Sequence, residues 1–472
     1  HQSGKKVTNM SSVASAAMVP HPPIILPNIG RGEEKKISEV DHAYRKAGEM
    51  IVQSRPETVV IVSPHAPSYY DYIQISSGRK AFGDLGQFRD EEDAFEVEYD
   101  QELIHEICRL ADEEQLPAGT LGRQDGSLDH GTMIPLYYLK DLPKQTRFIR
   151  IGTGGVSSRM HYQLGTLIQK AADNLGRKIA VIGSGDLSHC QKAGTHYGYK
   201  ECGPAYDARI MEIMSAGDFE SLLALSDEEA EESMVCGQKP FCVMAGVMDG
   251  LLPESQGLAH SAEFGVGYGI CTYDHLKEDS SRSFLQKAEE KARAEYLKRT
   301  AKEDDYVALA RNTIENLIAG TSLSGRKMQM NEELLHSKAG AFVSIHENGQ
   351  LRGCIGTTSP TCSTLAEEIM QNAQSASLRD PRFPAIQPYE LEDLHISVDV
   401  LKAPEPVQSK DGLDVKKYGV IVSKNGRRGL LLPDLEGVDT VEKQISIAKQ
   451  KAGIDELDDD VQLERFEVIR HV

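Results

Sequence analysis

Long hydrophobic runs are absent from this 472-residue chain, and so is any excess of positive charge. No apolar stretch approaches the roughly 20 residues that a membrane-spanning helix needs, and the start shows no signal-peptide pattern. We therefore expect a cytoplasmic protein with no membrane partner. The formal net charge of −20 argues against binding nucleic acid through the overall field of the protein.

Closely spaced cysteine pairs are also lacking. The eight cysteines include no CxxC pair and show none of the spacing of a zinc ribbon or a disulfide scaffold, so we expect reduced thiols. Hydrophobic residues at 40% and charged residues at 26% are close to the values of folded soluble proteins. The length predicts two or three domains.

The first half of the sequence alternates short β-branched runs with amphipathic helical patterns. The pattern predicts strands at 14–19, 58–62, 148–151 and 179–182, and helices at 39–54, 101–114 and 158–175. Strands that alternate with helices in this way predict an α/β domain with a mostly parallel central sheet covered by helices. We place this domain at residues 10–276.

The second half has a different organisation. A densely charged stretch, residues 277–300, predicts a helical connector that is helical from Phe284. After a helix at 305–319, Asn348-Gly349 and Asn425-Gly426 each separate two apolar runs, which is a strong hairpin signal because both residues accept positive φ. Residues 301–472 therefore form a smaller α+β domain.

Several chemically capable side chains follow the strands of the first domain. In open α/β sheets, ligands bind beyond the carboxyl ends of the strands, and that is the position of His21, His65, Asp186 and His189. His130 joins them because the sequence Asp129-His130-Gly131 suits an imidazole that is oriented by a neighbouring carboxylate.

Two neutral imidazoles and one anionic ligand bind first-row divalent metals, and on Fe(II) they leave coordination positions open for substrate and oxygen. His21 and His65 are the expected imidazole ligands, while His189 can stay unligated as an acid/base. The third ligand is open between Asp186 and Cys236, since Cys236 precedes an apolar helix whose N-terminus would stabilise a thiolate. The rival carboxylates are Glu231, Glu232 and Glu263, each more simply explained as a surface charge.

Four motifs occur in a recognisable order: VPHPPII at 19–25, SPHAP at 63–67, LDHG at 128–131 and SGDLSH at 184–189. Together they resemble the LigB-type class III extradiol dioxygenase superfamily, and VCGQKPF at 235–241 is similar to its Memo branch. The resemblance covers roughly residues 14–275.

The superfamily resemblance implies that His21 and His65 are metal ligands, that His189 is the catalytic acid/base and that His130 lies beside the substrate. The Memo-like pattern adds Asp186 and Cys236 near the metal. Ring-cleaving members use a glutamate as third ligand, whereas this chain offers Cys236 there. Such a thiolate would change the charge of the iron and its response to oxygen.

Residues 300–472 resemble the AMMECR family, through the segments 339–344, 351–356, 379–384 and 429–433. If this domain has a site, its candidates can hold an anionic ligand or a partner: Arg352, Cys354, Arg379, Asp380 and Arg382. Domains resembling Memo and AMMECR are often associated with a radical SAM protein, which implies such a partner for this chain. The resemblance also implies a homo-oligomer.

Three functions follow from these patterns. The first is a dioxygenase-like oxidoreductase that uses Fe(II), or else Cu, Zn or Mn, on a small aromatic or chelating substrate. The second keeps the same pocket for oxygen-independent hydrolase or lyase chemistry. The third is a non-catalytic module that binds metal or a partner, although a metal buffer would need neither His130 nor His189.

Overall fold

The computed structural model describes residues 11–472, so residue 10, the predicted first residue of the first domain, lies outside the described part. The chain divides into two compact units, one ending at Glu289 and the other running from Glu290 to Val472. Among residues 11–472, no helix has the length and apolar character needed to cross a bilayer.

The first unit contains ten strands, counted over its described residues: β1 Val13–Val19, β2 Thr58–Val62, β3 Ile73–Gln74, β4 Lys80–Leu85, β5 Asp90–Glu98, β6 Ala118–Gly119, β7 Arg147–Ile151, β8 Ile179–Ser184, β9 Leu251–Ser261 and β10 Tyr268–Glu278. Its helices are α1 Pro27–Gly30, α2 Ser38–Gln53, α3 Gln101–Glu113, α4 His130–Tyr137, α5 Ser158–Leu175, α6 Cys202–Ala216, α7 Phe219–Ala224, α8 Asp227–Glu232 and α9 Gln238–Val247. Helix α10, Phe284–Thr300, contains the division between the units.

A six-stranded sheet of order β7-β2-β8-β1-β10-β9 forms the centre of the first unit. The four strands β7, β2, β8 and β1 are parallel, and β10 and β9 add an antiparallel edge. Every residue of β2 and β8 is buried, as expected for parallel strands covered by helices on both faces. The predicted α/β class is confirmed, with a mixed sheet in place of a purely parallel one.

The second unit contains two four-stranded antiparallel sheets, of order β12-β11-β13-β18 and β14-β17-β15-β16. Its strands are β11 Ala341–Glu347, β12 Gln350–Gly356, β13 Leu394–Leu401, β14 Glu405–Val407, β15 Gly419–Lys424, β16 Arg427–Leu431, β17 Gln462–Phe466 and β18 Val468–His471. Its remaining helices are α11 Asp305–Ala319, α12 Glu332–His336, α13 Leu365–Leu378 and α14 Val441–Ala452. Helices α11 and α13 pack into the apolar core of the first sheet, and α14 into that of the second. This is the predicted α+β organisation.

Both predicted hairpin turns are present in the second unit. Asn348 and Gly349 have φ of 51° and 76°, and Asn425 and Gly426 have φ of 49° and 78°. Positive φ at both central residues is the requirement of a type I′ turn, which explains why Asn-Gly occupies each position.

Candidate metal centre

Parallel strands bring the predicted side chains to one edge of the central sheet. In the register of β1, β2 and β8, Val19 pairs with Ser184 and Val62 with Gly183, so the three strands end side by side. The rings of His21 and His65, which follow β1 and β2, meet there with the ring of His130, which begins helix α4. Ring centroids lie 4.8 Å apart for His21 and His65, 5.3 Å for His21 and His130, and 4.3 Å for His65 and His130.

The buried ring of His21 is held in one tautomer by Ser184 at the end of β8. The Ser184 hydroxyl donates its proton to the Gly131 carbonyl at 2.5 Å, and its oxygen lies 2.9 Å from Nδ1 of His21. Because a hydroxyl has only one proton, Ser184 must accept from Nδ1–H. Nε2 of His21 therefore carries the lone pair, as a metal ligand requires.

The electrostatics of His21 also suit a metal ligand. Burial, together with the nearby His65, lowers the pKa of His21 to about 3, so the ring is neutral at physiological pH. Its Nε2 lies 3.7 Å from a carboxylate oxygen of Asp186 and 3.9 Å from Sγ of Cys236. An imidazole lone pair that faces a carboxylate and a thiol is a donor set that fits a divalent cation.

Cys236 reaches this edge through a close approach of two backbone segments. A Cβ on Gly185 would lie 2.2 Å from Cα of Gly237, so only glycine allows the two segments to lie this close. The amide N–H of Asp186 then donates to Sγ of Cys236 at 3.2 Å. Two residues before the thiol, Met234 has a φ of 54°, in the left-handed region that non-glycine residues rarely adopt.

The expectation that a helix N-terminus ionises Cys236 is wrong for the metal-free chain. Burial, followed by the charge of Asp186, raises the pKa of the Cys236 thiol well above its usual range. Burial likewise raises the pKa of Asp186. The cost of removing the thiolate from water outweighs the stabilisation that the N-terminus of helix α9 gives it. A bound cation would favour the thiolate.

Among residues 11–472, three groups of potential ligand atoms are compact enough to hold an ion, and two of them lie at this edge of the sheet; the third, Glu254, Asp274 and His275, lies on β9 and β10. Of the two at this edge, one consists of His21, His65 and Cys236 and the other of Asp186, His189 and Cys236, with all atoms of each group within 4.8 Å of one another. Cys236 belongs to both groups. The rival carboxylates Glu231, Glu232 and Glu263 are exposed and belong to neither.

His189 has one ring nitrogen engaged and the other available. Its Nδ1 lies 2.6 Å from the carbonyl oxygen of Met234, which can only accept, so Nδ1 carries the proton. Nε2 therefore has a lone pair that can take up a proton or bind a metal. The backbone beside it is fixed by Asp207, a buried carboxylate that accepts from the Ser188 N–H at 3.0 Å and lies 2.7 Å from Nε2 of His260.

His130 begins helix α4, and Asp129 has a different role from the predicted one. The Asp129 carboxylate caps the helix by accepting from the Thr132 N–H at 3.2 Å and accepts from the Ser63 hydroxyl at 2.6 Å. The structure shows no hydrogen bond from this carboxylate to the His130 ring. Asp129 thus joins the loop of His65 to the helix of His130. Burial, together with the charges of His21 and His65, lowers the pKa of His130 to about 4.

The candidates of the second unit form a network around residues 380–384. Arg352 donates to both carboxylate oxygens of Glu390, at 2.8 and 3.2 Å, and to the Pro384 carbonyl at 2.8 Å. Asp380 accepts from the backbone N–H of Cys354 at 3.0 Å and from Arg382 at 2.8 Å. Arg379 is exposed outside these contacts.

Beside Arg352 and Glu390 lies a second glutamate, Glu347. Burial, followed by the charge of Glu390, raises the pKa of Glu347 to about 8.

The groups that hold the site side chains in place cannot be identified from the sequence alone. Ser184 lies within the SGDLSH motif, but its tautomer-setting bond depends on the Gly131 carbonyl, which is 53 positions away in the chain. The Met234 carbonyl gives no sequence signal. Asp207 and His260 come together only through the folded positions of α6 and β9.

Comparison with known proteins gives two family matches. Residues 15–270 match the family described as the catalytic LigB subunit of aromatic ring-opening dioxygenase, and residues 307–471 match the AMMECR1 family. LigB-type proteins generally bind a divalent metal, which agrees with the donor set at the sheet edge.

Individual relatives cover the chain to different extents. A protein of Clostridium acetobutylicum is 36% identical over 462 residues, which is 96% of this chain and 98% of that protein. A protein of Thermotoga maritima is 54% identical over 170 residues, 36% of this chain and 98% of that protein. An uncharacterized protein of Pyrococcus horikoshii, known from a crystal structure, has 29% identity and a TM-score of 0.31 over 35% of this chain and 88% of its own. The chain therefore belongs to the LigB family of the class III extradiol dioxygenase superfamily and carries an AMMECR1 domain after its LigB domain.

Proposed function

We propose that this chain is a dioxygenase-like oxidoreductase that holds one divalent metal, Fe(II) in the first instance, with His21, His65 and Cys236, and acts on a small aromatic or otherwise chelating substrate. The convergence of these three side chains at one edge of the sheet, with ligand atoms within 4.8 Å of one another, carries the proposal. A metal bound there would supply orientation and charge stabilisation to a chelating substrate.

The protein side chains around that position have separable tasks in this proposal. Asp186 lies 3.7 Å from Nε2 of His21 and adds a negative charge that helps to balance the cation. His130, neutral because its pKa is lowered to about 4, contacts the substrate as a hydrogen-bonding partner. His189 takes a proton at Nε2 while Nδ1–H stays bonded to the Met234 carbonyl, and this makes it the acid/base.

A second candidate function uses the same pocket without oxygen, for hydrolase or lyase chemistry. The position of Cys236 favours it, because a thiol lies 3.9 Å from Nε2 of His21 where ring-cleaving relatives present a carboxylate. A thiolate has the same formal charge as a carboxylate but is a softer ligand that donates more electron density, and this changes the oxygen reactivity of iron. The two functions differ in whether turnover requires oxygen.

The AMMECR1 domain leads us to propose, in addition, that the chain acts together with a radical SAM protein. The described residues of the second unit use Arg352 and Asp380 to fix the 380–384 loop, which leaves Arg379 and Arg382 as the more exposed cations for contact with a partner. Copurification of a radical SAM protein with the wild-type chain, reduced for Arg379→Ala, would support this partner. Equal recovery with both chains would argue against that contact.

The test of the enzyme is to purify the chain without oxygen, measure bound metal, and screen catechols and other chelating substrates with and without oxygen. We expect about one metal per chain, lost in His21→Ala and His65→Ala and kept in His105→Ala, an exposed histidine on α3. His189→Ala should keep the metal and lose turnover by ~10²–10⁴-fold. A wild-type chain that binds no added Fe(II), Cu or Zn would contradict the proposal.

A further inference from the structure

A cavity of about 610 Å³ lies beside the metal centre, and both His65 and His130 line it. This volume is in the range of small-molecule sites. Polar side chains form much of the remaining wall, among them Asp84, Asp125 and Arg123. A substrate that chelates a metal at His21 and His65 would extend its remaining atoms into this space.

Buried side chains fix the wall segment that carries Arg123. Gln74, which is only 2% exposed, donates to the carbonyls of Leu121 and Arg123 at 2.8 and 2.9 Å. The hydroxyl of Tyr69 accepts from the Arg123 N–H at 2.7 Å. The backbone of Arg123 is therefore held from both sides, while the residue is exposed and lines the cavity.

A second arginine of the wall, Arg150, has structural partners. It is 2% exposed, and it donates to the Ser127 carbonyl at 2.6 Å, to the Asp125 carbonyl at 2.8 Å, to the Ser76 hydroxyl at 2.8 Å and to Asp129 at 3.4 Å. These bonds use four of its five N–H donors and shape the loop that leads to His130.

The three carboxylates of the wall also have structural partners, and those of Asp129 include the Ser63 hydroxyl and the Thr132 N–H. Asp84 accepts from the Gly86 N–H at 2.9 Å, and Asp125 accepts from the N–H and hydroxyl of Ser127 at 2.9 and 2.7 Å. The guanidinium of Arg123, in contrast, makes no hydrogen bond or ion pair with the described residues. Arg123 lines the same cavity as Asp125, and the Ser127 bonds, followed by the charges of Arg150 and Arg123, lower the pKa of Asp125.

From these contacts we infer that the cavity takes the metal-distal part of a substrate that bears an anionic group, a carboxylate or a phosphate, and that Arg123 pairs with that group. This inference rests on the proposed function, because the metal-bound end of the same molecule places the anion in the cavity. A guanidinium offers paired donors that match a carboxylate or phosphate. Arg123 is thus the specificity residue of the pocket.

The experiment compares three catechols on the Zn-loaded chain without oxygen: neutral 4-methylcatechol, anionic 3,4-dihydroxybenzoate and cationic 3,4-dihydroxybenzylamine. We expect the affinity ratio of the anion to the neutral compound to be about fivefold higher in the wild type than in Arg123→Gln, the size of an exposed ion pair. Arg123→Lys should keep part of the ratio. Arg79→Gln, an exposed arginine that does not line the cavity, should keep all of it.

The inference would be overturned if the affinity ratio of the anion to the neutral compound were the same in the wild type and Arg123→Gln, or if the chain preferred the amine. Either result would leave the proposed metal centre intact. Catechol binding that does not depend on metal would instead contradict the proposed function. In that case benzoate and benzamide, titrated into the metal-free chain, still test the cavity: the inference requires benzoate to bind more tightly, and Arg123→Gln to abolish the difference.

Discussion

Replacement of Ser184 by alanine tests whether the tautomer of His21 controls metal binding. The Ser184 oxygen lies 2.9 Å from Nδ1 of His21 and is the acceptor that keeps the proton on Nδ1. Both side chains are almost completely buried, so water cannot replace the lost acceptor. In Ser184→Ala the ring must either leave a buried N–H unpaired or move its proton to Nε2, the ligand atom.

The expected size of the effect follows from the cost of an unpaired buried donor, about 1–3 kcal/mol. Since ~1.4 kcal/mol corresponds to a tenfold change in a binding constant, we expect the affinity for Co(II) or Fe(II) to fall by ~10–100-fold, the range found for residues that orient metal ligands. The dissociation constant is measured by anaerobic titration, and ¹⁵N NMR of the imidazole reports which nitrogen is protonated.

Ser15→Ala is the matched control for this change. Ser15 is a fully buried serine on the adjacent strand β1, and its hydroxyl lies 2.7 Å from that of Ser54 instead of a histidine. It should lower stability without changing metal affinity. If Ser184→Ala binds metal as tightly as Ser15→Ala and the wild type, the tautomer argument is refuted.

Three further predictions follow from the structure. Gly185→Ala places a Cβ 2.2 Å from Cα of Gly237, so we expect a loss of ~1–3 kcal/mol in the free energy of unfolding and weaker metal binding; an unchanged denaturation curve would argue against the close approach. Asp129→Ala removes the cap of α4 and the bond to Ser63 and should cost ~0.5–2 kcal/mol by the same measurement, whereas a neutral effect would show that the cap is dispensable. Glu347, whose pKa is raised from 4.5 to about 8, stays protonated in the folded chain while the unfolded chain ionises, so its contribution to stability is full below pH ~4.5 and is lost as the pH rises to about 8. Calorimetry of Glu347→Gln between pH 5 and 8 should show a flatter pH dependence than the wild type, and parallel curves would contradict the assignment.

Much of the fold could be predicted because strong local signals agree with it. Helices α5 and α11 begin and end at the residues that apolar periodicity indicates, 158–175 and 305–319. The buried strand β2 covers its predicted range, 58–62. The positions of His21, His65, Asp186 and His189 after strands were sufficient to predict that they meet, because parallel strands share one edge.

Strands that carry many polar residues have an apolar alternation too weak to predict them from the sequence. The hairpin β4–β5 and the edge pair β9–β10 carry many charged or exposed residues. The strands of each pair are held by pairing with each other, and β10 also pairs with the distant strand β1. Strand β10 continues through Lys277 and Glu278, which pair with Leu252 and Leu251 of β9, although their charge suggested a connector. Pairing of this kind is set by tertiary context more than by local propensity.

The chemistry of the site was predictable in its residue types and not in its hydrogen bonds. The sequence placed a carboxylate beside His130, and in the fold Asp129 bonds to Ser63, 66 positions away. Likewise, the thiol of Cys236 was expected to ionise at a helix start, but burial raises its pKa. Both differences arise from contacts between distant segments, which periodicity and motif spacing do not encode.

X-ray absorption spectroscopy of the anaerobic, iron-loaded chain identifies the atoms bound to the metal and so tests whether His21, His65 and Cys236 hold it. We expect imidazole nitrogens together with one sulfur at ~2.3 Å, the usual length of a metal–thiolate bond, and loss of the sulfur in Cys236→Ser while nitrogen ligation is kept. A spectrum with nitrogen and oxygen ligands alone, unchanged in Cys236→Ser, would contradict a centre built from His21, His65 and Cys236.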